Sequence, residues 1–248
     1  MADGFDFRNS AHFKYKADIF VPCGGRPESV NIRNCAQLWN DEGVPNYKYI
    51  VEGANLFITQ NARLALEKHG VILFRDSSAN KGGVTSSSLE VLSGLALNDE
   101  EFLDLMTSPN DEGFSDFYLN YARNIQQIIS ANATAEFNCI WKEHAKNKKP
   151  FTLLSDGLSK ALTRLQADME ASNLYDDAVL RKATMTKALP KVLLAEVGLD
   201  NILKRLPEVY ARSMFASYIA SRFIYRYGTD PSNVDFYHFI AALKSESK

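Results

Sequence analysis

Three short apolar runs, each followed by a polar turn containing glycine or proline, constrain the fold of this 248-residue chain more than any other feature. The runs lie at residues 17–21, 47–51 and 71–74 and are rich in β-branched and aromatic residues, which is typical of strands. Amphipathic segments of about ten residues separate them. Strands that alternate with helices of this length form parallel βαβ units, so the sequence predicts the α/β class.

The segments between the runs carry helix signals. Residues 31–39 place Ile32, Cys35, Ala36 and Trp39 on one helical face, which predicts a helix there. Thr59 is a suitable N-cap for a second helix that continues to Lys68–His69. Gly70 then stands where a helix commonly ends in a left-handed residue.

Beyond Val84 the strand signal disappears and consecutive helices are predicted. A long apolar stripe from residue 114 toward 141 indicates one extended helix. Another helix begins at Leu206–Pro207 and ends at Gly228. Residues 232–235 form a capping-box pattern that opens a last helix.

Composition excludes several classes of protein. A net charge of −2 argues against a protein that binds mainly nucleic acid, because phosphate binding requires a cationic excess. Three cysteines without CxxC spacing indicate neither a disulfide framework nor a zinc site, and we assign no metal. No run of 18 apolar residues and no signal-peptide pattern is present. We therefore expect a soluble, cytoplasmic chain without membrane association, and a mitochondrial location stays open.

Each apolar run ends in residues that suit a ligand site. Polar turns follow the strands at Pro22–Cys23, at residues 52–55 and at residues 76–83. Ligands bind beyond the carboxyl ends of strands in open α/β sheets. The stretch 80–88, Asn-Lys-Gly-Gly-Val-Thr-Ser-Ser-Ser, opens a helix whose N-terminus can hold an anion. A plain glycine turn with one hydroxyl residue as N-cap explains the same pattern, and the pattern alone does not decide.

Three of these stretches resemble the NAD-specific glutamate dehydrogenases, in particular the large fungal type. They are residues 17–28, 50–55 and 78–92, and they occur in the order and spacing of that family. The helical remainder also resembles the family in three short stretches: Leu154–Leu158, Ala188–Lys191 and Ala220–Tyr225. The resemblance therefore covers nearly the whole chain.

The resemblance implies an architecture. Residues 1–97 would be the C-terminal half of a Rossmann-type NAD-binding layer, and residues 98–248 an all-α C-terminal domain. The family carries its catalytic lysine and aspartate in a preceding substrate domain, and its NAD-binding domain opens with a glycine-rich turn. Neither occurs here, so we assign no catalytic residue and expect a C-terminal piece of a longer polypeptide. The strand at 17–21 or its neighbour would then be an exposed sheet edge, which predicts that the chain aggregates or self-associates.

The resemblance also assigns residues to the cofactor. Asn55 would lie beside the nicotinamide ribose, and Asn80 would lie where nicotinamide and the amino-acid substrate meet. Pro22 and Cys23 would line the cofactor cleft. The alternative role of both asparagines is to form turns.

Substrate contacts follow in the same way. Gly82 and Gly83 would allow close backbone approach, and Val84 would pack against the aliphatic stem of the substrate. Ser87 would donate a hydrogen bond to the side-chain carboxylate that distinguishes glutamate. Because Ser86 and Ser88 flank it, a register slip of one residue stays open, as does a plain surface or N-cap serine.

The function implied is reversible oxidative deamination of L-glutamate to 2-oxoglutarate and ammonium with NAD, by a homo-oligomer. We expect the chain to be inactive alone because the catalytic domain is absent. One alternative is a non-catalytic interaction module that pairs with a full-length subunit. Another is a branched-chain or aromatic amino-acid dehydrogenase. Ser87 argues against this alternative, because the pocket for an apolar substrate would leave the Ser87 hydroxyl without a carboxylate partner.

Overall fold

A computed structural model describes residues 2–24, 26–108 and 113–246 of the chain. Its three strands are β1 (Ala17–Phe20), β2 (Tyr47–Val51) and β3 (Ile72–Phe74). They form one parallel sheet in the order β1-β2-β3, in which Ile19 pairs with Tyr49 and Tyr49 with Ile72. The predicted α/β class is confirmed at this level, as a mostly helical chain with a small parallel sheet.

The helices follow in chain order and account for most of the described residues. They are α1 (Ala2–Lys14), α2 (Gln60–Lys68), α3 (Asp76–Ala79), α4 (Gly82–Ala96), α5 (Asp99–Met106), α6 (Asp116–Asn147), α7 (Phe151–Ala171), α8 (Ala178–Ala188), α9 (Lys191–Val197), α10 (Leu199–Arg205), α11 (Glu208–Tyr227) and α12 (Asn233–Ser245). Two short 3-10 helices lie at Cys35–Leu38 and Leu174–Asp176.

The predicted helix at residues 31–39 is wrong, since only the 3-10 helix Cys35–Leu38 forms there. Two asparagine side chains satisfy the local backbone instead. Asn34 Oδ1 accepts the Asn31 N–H at 2.8 Å, and Asn31 Oδ1 accepts the Arg33 N–H at 3.0 Å. Such local bonds compete with the helical ladder, and apolar periodicity does not reveal them.

Several predicted helix ends are confirmed. Gly70 follows α2 with φ of +85°, a conformation that glycine adopts without steric cost. Pro207 is the N-cap of α11, and Gly228 is its C-cap with φ of +86°. Ser232 and Asp235 form the predicted capping box at the start of α12. These signals succeed because each depends on neighbouring residues only.

Contacts divide the chain into two compact units. The first, called the sheet unit, comprises Met1–Lys81 with Ile140–Gly157. The second, called the helical unit, comprises Gly82–Cys139 with Leu158–Lys248. This division differs from the domain boundary expected at residue 97, because α4 groups with the later helices. The domains 1–97 and 98–248 stay a prediction.

The core of the sheet unit lies between the sheet, α2 and the segment around the first 3-10 helix. Apolar side chains from all three pack together with less than a tenth of their surface exposed. They are Val30, Cys35, Leu38, Tyr47, Ile50, Ala54, Phe57, Ile58, Ala62, Leu66, Val71 and Leu73. Burial of this set is the main force that holds the three strand ends in register.

In the helical unit, α8 packs against α11 and α12, and α4 packs against α10. Tyr121 of α6 is buried at 2% exposure, and its hydroxyl donates to the carbonyl oxygen of Leu89 at 2.6 Å. That bond satisfies a polar group that burial would otherwise penalise, and it ties α6 to α4.

Strand β1 lies at the edge of the sheet, since it pairs only with β2 among the described residues. One sheet face there is apolar and exposed: Ile19 is 58% exposed and its pairing partner Tyr49 is 42% exposed. Parallel sheets are ordinarily covered on both faces, and open edges are templates for further pairing.

Substitution Ile19→Lys is expected to reduce self-association of the chain, because a charge on an edge strand opposes pairing with a second copy. Size-exclusion chromatography with light scattering over a concentration series measures this directly. The matched control is Val44→Lys, at an apolar loop residue that is 57% exposed. Equal elution of the parent chain and Ile19→Lys as monomers at high concentration would contradict the prediction.

Candidate functional site

The turns after β1 and β2 touch each other at the carboxyl edge of the sheet. The Ala54 N–H donates to the carbonyl oxygen of Pro22 at 2.6 Å. A Cβ at Gly53 would lie 3.0 Å from Cys23 Sγ and 3.2 Å from the Pro22 oxygen. The close approach of the two turns therefore favours glycine here, because a Cβ would crowd both neighbouring atoms.

A buried ionic cluster lies beneath these turns. Arg63 of α2 donates through Nε to Glu52 at 2.7 Å, and through Nη2 to the same carboxylate at 3.2 Å. Nη2 also lies 3.3 Å from Asp76 Oδ1. The exposed fractions of the Arg63, Glu52 and Asp76 side chains are 4%, 0% and 3%. One guanidinium thus forms ion pairs with two carboxylates, which follow the ends of two adjacent strands.

Both carboxylates also accept hydrogen bonds from backbone N–H groups. Glu52 Oε1 accepts the Ile58 N–H at 3.0 Å, and Asp76 Oδ2 accepts the Leu56 N–H at 2.8 Å. Leu56 itself has φ of +57°, a conformation that non-glycine residues adopt rarely. The cluster therefore fixes the turn at residues 52–58, on which Asn55 lies exposed.

Burial and hydrogen bonding act in opposite directions on the two carboxyl groups. Burial raises the pKa of Glu52, and the Arg63 guanidinium opposes that shift. Burial alone would also raise the pKa of Asp76, but the N–H groups of Leu56 and Ser77 together with Arg63 lower it. The cluster therefore keeps Asp76 ionised and leaves neither carboxyl free to act as a base.

The turn after β3 is held by the start of α7. Ser155 Oγ lies 2.5 Å from Ser78 Oγ. Asp156 accepts from Gln60 Nε2 at 2.9 Å and pairs with Arg75. These contacts position α3, at whose end Asn80 lies half-buried.

Glu67 of α2 accepts the N–H of Thr152 in the first turn of α7 at 3.2 Å. Its other oxygen is buried without a partner among the described residues. Burial raises the pKa of Glu67 to about 7, although the bonds from Thr152 oppose the shift. Ser155 and Asp156 follow in the next turn of α7, so Glu67 contacts the same helix that holds α3.

Helix α4 begins at Gly82, so both glycines lie in its first turn. Residues 85–88 are inside the helix, and none of them is its N-cap. Val84 is 73% exposed, and Ser87 is exposed three residues later on the same face. The Ser87 hydroxyl donates to the Val84 carbonyl oxygen at 3.1 Å, which leaves its own lone pairs unused by the protein.

The structure thus places the predicted residues in two sets. Pro22, Cys23 and Asn55 meet at the ends of β1 and β2 in the sheet unit, and Asn80 follows β3 in the same unit. The substrate set belongs to the helical unit and comprises Gly82, Gly83, Val84 and Ser87.

Sequence reasoning missed the residues that hold these turns, namely Arg63, Asp76, Ser155 and Asp156. One signal was available: Arg63 stands beside Ala62 and Leu66 on the buried side of α2. A charged residue on an apolar helix face requires a buried counter-charge.

Two further properties concern only the part of the chain that the structure describes. Within it, no group of three or more His, Cys, Asp or Glu side chains is arranged to hold a metal ion. None of its helices has the length and apolar character needed to span a bilayer.

Comparison with known proteins finds strong similarity. The model of the Glutamate/Leucine/Phenylalanine/Valine dehydrogenase family matches residues 3–147. Glutamate dehydrogenase 2 of Dictyostelium discoideum is 48% identical over 245 residues, which are 98% of this chain and 23% of that protein. The probable NAD-specific glutamate dehydrogenase of Schizosaccharomyces pombe is 48% identical over 96% of the chain and 22% of its own length. The NAD-specific glutamate dehydrogenase of Saccharomyces cerevisiae is 41% identical over 100% of this chain and 24% of its own length.

The chain therefore spans less than a quarter of the length of these curated relatives. No solved structure matches it significantly. The resemblance stated from the motifs is confirmed by relatives that bear the same name.

Substitution Arg63→Met is expected to lower the free energy of unfolding by about 3–5 kcal/mol, because it leaves the buried Glu52 carboxylate without its cation and leaves Asp76 with Arg75 alone, at 3.3 Å. Urea denaturation measures the loss. The control is Lys48→Met, which breaks an ion pair with Asp18 whose side chains are 72% and 75% exposed. That change should have a much smaller effect, because water and salt screen an exposed ion pair. Equal, small losses in both variants would show that the cluster does not stabilise the turns.

Substitution Glu67→Gln is expected to alter the pH dependence of stability. The folded-state pKa of Glu67 is raised to about 7 from the ordinary 4.5, so the unfolded chain loses its proton first as pH rises. Stability of the parent chain should fall from pH 4.5 to pH 7 by up to about 3 kcal/mol through this group.

In Glu67→Gln that fall is expected to disappear, so the variant gains stability over the parent as pH rises toward 7. Denaturant midpoints at a series of pH values test this. The control is Glu90→Gln, at an exposed residue of α4. A constant difference between Glu67→Gln and the parent at every pH would contradict the assignment.

Proposed function

This chain belongs to the Glutamate/Leucine/Phenylalanine/Valine dehydrogenase family, and we propose that it is the C-terminal segment of an NAD-dependent glutamate dehydrogenase. The reaction is the reversible conversion of L-glutamate, NAD and water to 2-oxoglutarate, ammonium and NADH. The observation that carries the proposal is the 41–48% identity to glutamate dehydrogenases over nearly the whole chain. The Glu52–Arg63–Asp76 cluster supports the place of the ligand, because it holds turns at the edge of a parallel sheet where ligands of α/β proteins bind.

The proposed architecture is the C-terminal half of a Rossmann-type layer followed by an all-α domain, at residues 1–97 and 98–248. Three adjacent parallel strands with a helical crossover between β2 and β3 support the first part. The all-α domain is supported by the elements after Phe74, because in the described residues they are all helices.

The sheet edge is suited to an extended cofactor. Close approach at Gly53 keeps the backbone of the first two turns compact, and Asn55 projects from the second turn without a described partner of its own. We assign Pro22, Cys23, Asn55 and Asn80 to NAD binding. When bound, NAD supplies the hydride acceptor, and these residues orient it and exclude water on one side.

The exposed face at the start of α4 is assigned to the substrate. Val84 presents an apolar side chain for the carbon stem. Ser87 lies one helical turn away, and its O–H, which donates to the Val84 carbonyl oxygen in the free chain, would rotate to donate to the side-chain carboxylate. Gly82 and Gly83 carry no side chain of their own over the backbone. Nothing lies within 4 Å of the position of a Cβ at Gly83, whereas Ile129 Cγ2 lies 3.6 Å from that position at Gly82. Helical spacing favours Ser87 over Ser86, since positions three apart share a face.

The acid and base of the reaction are assigned to a region outside this chain. Glu52 and Asp76 are buried and paired, so they serve structure. We infer that the chain alone does not turn over glutamate, and that it works within a homo-oligomer of longer subunits. The exposed edge of β1 favours a second candidate, an interaction module that pairs with a full-length subunit.

The test compares glutamate-dependent NADH formation by the 248-residue chain with that of a polypeptide extended upstream to the length of the relatives. Turnover is expected only in the longer protein. In it, Ser87→Ala should raise KM for glutamate about tenfold or more with a smaller change in kcat, because a hydrogen bond to a charged group is lost.

Ser86→Ala is the matched control, since it removes a hydroxyl that also donates to the helix backbone, at Gly83, but lies on a different face from Val84. Turnover by the short chain would refute the absent-domain proposal. A KM effect in Ser86→Ala and none in Ser87→Ala would move the contact by one residue.

A further inference from the structure

A polar cavity of about 400 Å³ lies within the helical unit, where α4, α6, α8 and α11 surround it. Its volume suits a small organic ligand. Two adjacent rows of side chains, with members four residues apart, form the α11 wall. One row is Ser213, Ser217 and Ser221, and the other includes Met214, Tyr218 and Arg222. We call it the Arg222 cavity.

The lining of the Arg222 cavity is basic. Among the described residues that form it, none is acidic, whereas Arg222 and Lys187 are cationic. Lys187 forms an ion pair with Glu246, so Arg222 supplies the charge that the protein leaves uncompensated. Serine, threonine and tyrosine hydroxyls supply most of the other polar side-chain groups. Positive charge in a concave site attracts anions, so this lining favours an anionic ligand.

Arg222 is half-buried and has few partners within the protein. Its Nη2 donates to Asn132 Oδ1 at 2.7 Å, and its guanidinium carbon lies 5.2 Å from the centre of the Tyr218 ring. In the part of the chain that the structure describes, no carboxylate forms an ion pair with it. A guanidinium has five N–H donors, so most of those of Arg222 remain available to a ligand.

The buried acid beside this arginine is bonded elsewhere. Glu136 lies one turn after Asn132 on α6 and is 3% exposed, and it accepts the Tyr225 hydroxyl at 2.7 Å. Arginine between packed helices ordinarily neutralises a buried acid. Arg222 instead meets a neutral amide, so joining two helices does not account for its charge.

The donors of the cavity suit a phosphate group better than a carboxylate. A carboxylate has two oxygens, which the fork of one free arginine satisfies, but Nη2 of Arg222 already donates to Asn132. The other donors are separate hydroxyls, and those of Ser217 and Tyr218 have no hydrogen-bond partner among the described residues. A phosphate monoester has three terminal oxygens and a charge of about −1.5 to −2 near pH 7.

We propose that the Arg222 cavity binds the phosphate group of a small molecule, with Arg222 as its cationic partner and Tyr218 and Ser217 as hydroxyl donors. Leu89, Ile128 and Met214 line the same cavity and provide apolar surface for a small carbon body. The proposed site does not depend on dehydrogenase activity, although the cavity shares Val84 with the face of α4 assigned to the substrate.

The experiment follows the arginine Nε–H signals of the 248-residue chain by NMR, without any need for turnover. The signal of Arg222 is the one that Arg222→Lys removes. At constant ionic strength, the chain is titrated separately with phenyl phosphate, inorganic phosphate, benzoate, phenol and 2-oxoglutarate. Phenyl phosphate, benzoate and phenol share a ring and differ in the head group. Inorganic phosphate has no carbon body, and 2-oxoglutarate reports on the substrate face.

A saturable shift of the Arg222 signal with phenyl phosphate is the expected result, with none for phenol and at least about tenfold weaker binding of benzoate. Equal affinity for inorganic phosphate would assign the site to free phosphate, and weaker affinity would assign it to an organic phosphate. Binding of 2-oxoglutarate or benzoate as tight as that of phenyl phosphate would overturn the choice of phosphate. No shift, or parallel unsaturated shifts of all arginine signals, would overturn the site itself.

Calorimetric titration of variants with phenyl phosphate tests the assigned residues. Arg222→Met should weaken binding at least about tenfold, and Arg222→Lys should recover part of the loss because it restores a charge. Arg226→Met is the matched control, since Arg226 also lies against a tyrosine ring of α11, at 5.3 Å, but does not line the cavity. The control should bind like the parent chain.

Tyr218→Phe keeps the ring under Arg222 and removes only the hydroxyl, so it should weaken binding about threefold or more. This variant decides the question if Arg222→Met does not fold, which thermal unfolding of each variant checks. Binding by Arg222→Met equal to that of the parent, or an equal loss in Arg226→Met, would show that Arg222 does not hold the ligand. Unchanged binding in Tyr218→Phe would remove the hydroxyl from the site.

Discussion

The contact of one guanidinium with two buried carboxylates holds the turns at the carboxyl edge of the sheet in place. Arg63 lies between Glu52 and Asp76, and each carboxylate also accepts backbone N–H groups from the turn that contains Asn55. The loss of water around these charges offsets much of their attraction. The cluster therefore fixes the geometry of the turns more than it raises the net stability of the fold. Two strand ends and one helix are thereby held in a single arrangement, with Leu56 kept at a positive φ.

The side chains that hold the turns of the candidate site differ from those that we propose to contact ligands. The groups that hold the site are buried or half-buried, as Glu52, Asp76 and Asp156 show, and their oxygen atoms are occupied within the protein. The side chains proposed to meet ligands are exposed, as in Asn55 and Ser87. This division is physically reasonable, because a ligand contact is reproducible only when the backbone beneath it cannot relax.

Much of the fold was readable from local patterns, and the failures have a common cause. The three strands, the left-handed Gly70 and the capping box at Ser232 each depend on residues within one turn or strand. The helix expected at residues 31–39 failed because Asn31 and Asn34 bond to nearby backbone, a competition that apolar spacing does not register. For the candidate site, motifs named the residues that we propose to meet ligands, but not the buried residues that position them.

The sequence by itself determined the α/β class, the order of the elements and the family, because alternating strands, helix caps and short motifs are local. Only the tertiary structure decided that Arg63 joins Glu52 to Asp76 and that Asp156 reaches Gln60, 96 residues earlier. Such contacts depend on which surfaces folding brings together, and no periodicity within a single segment encodes them.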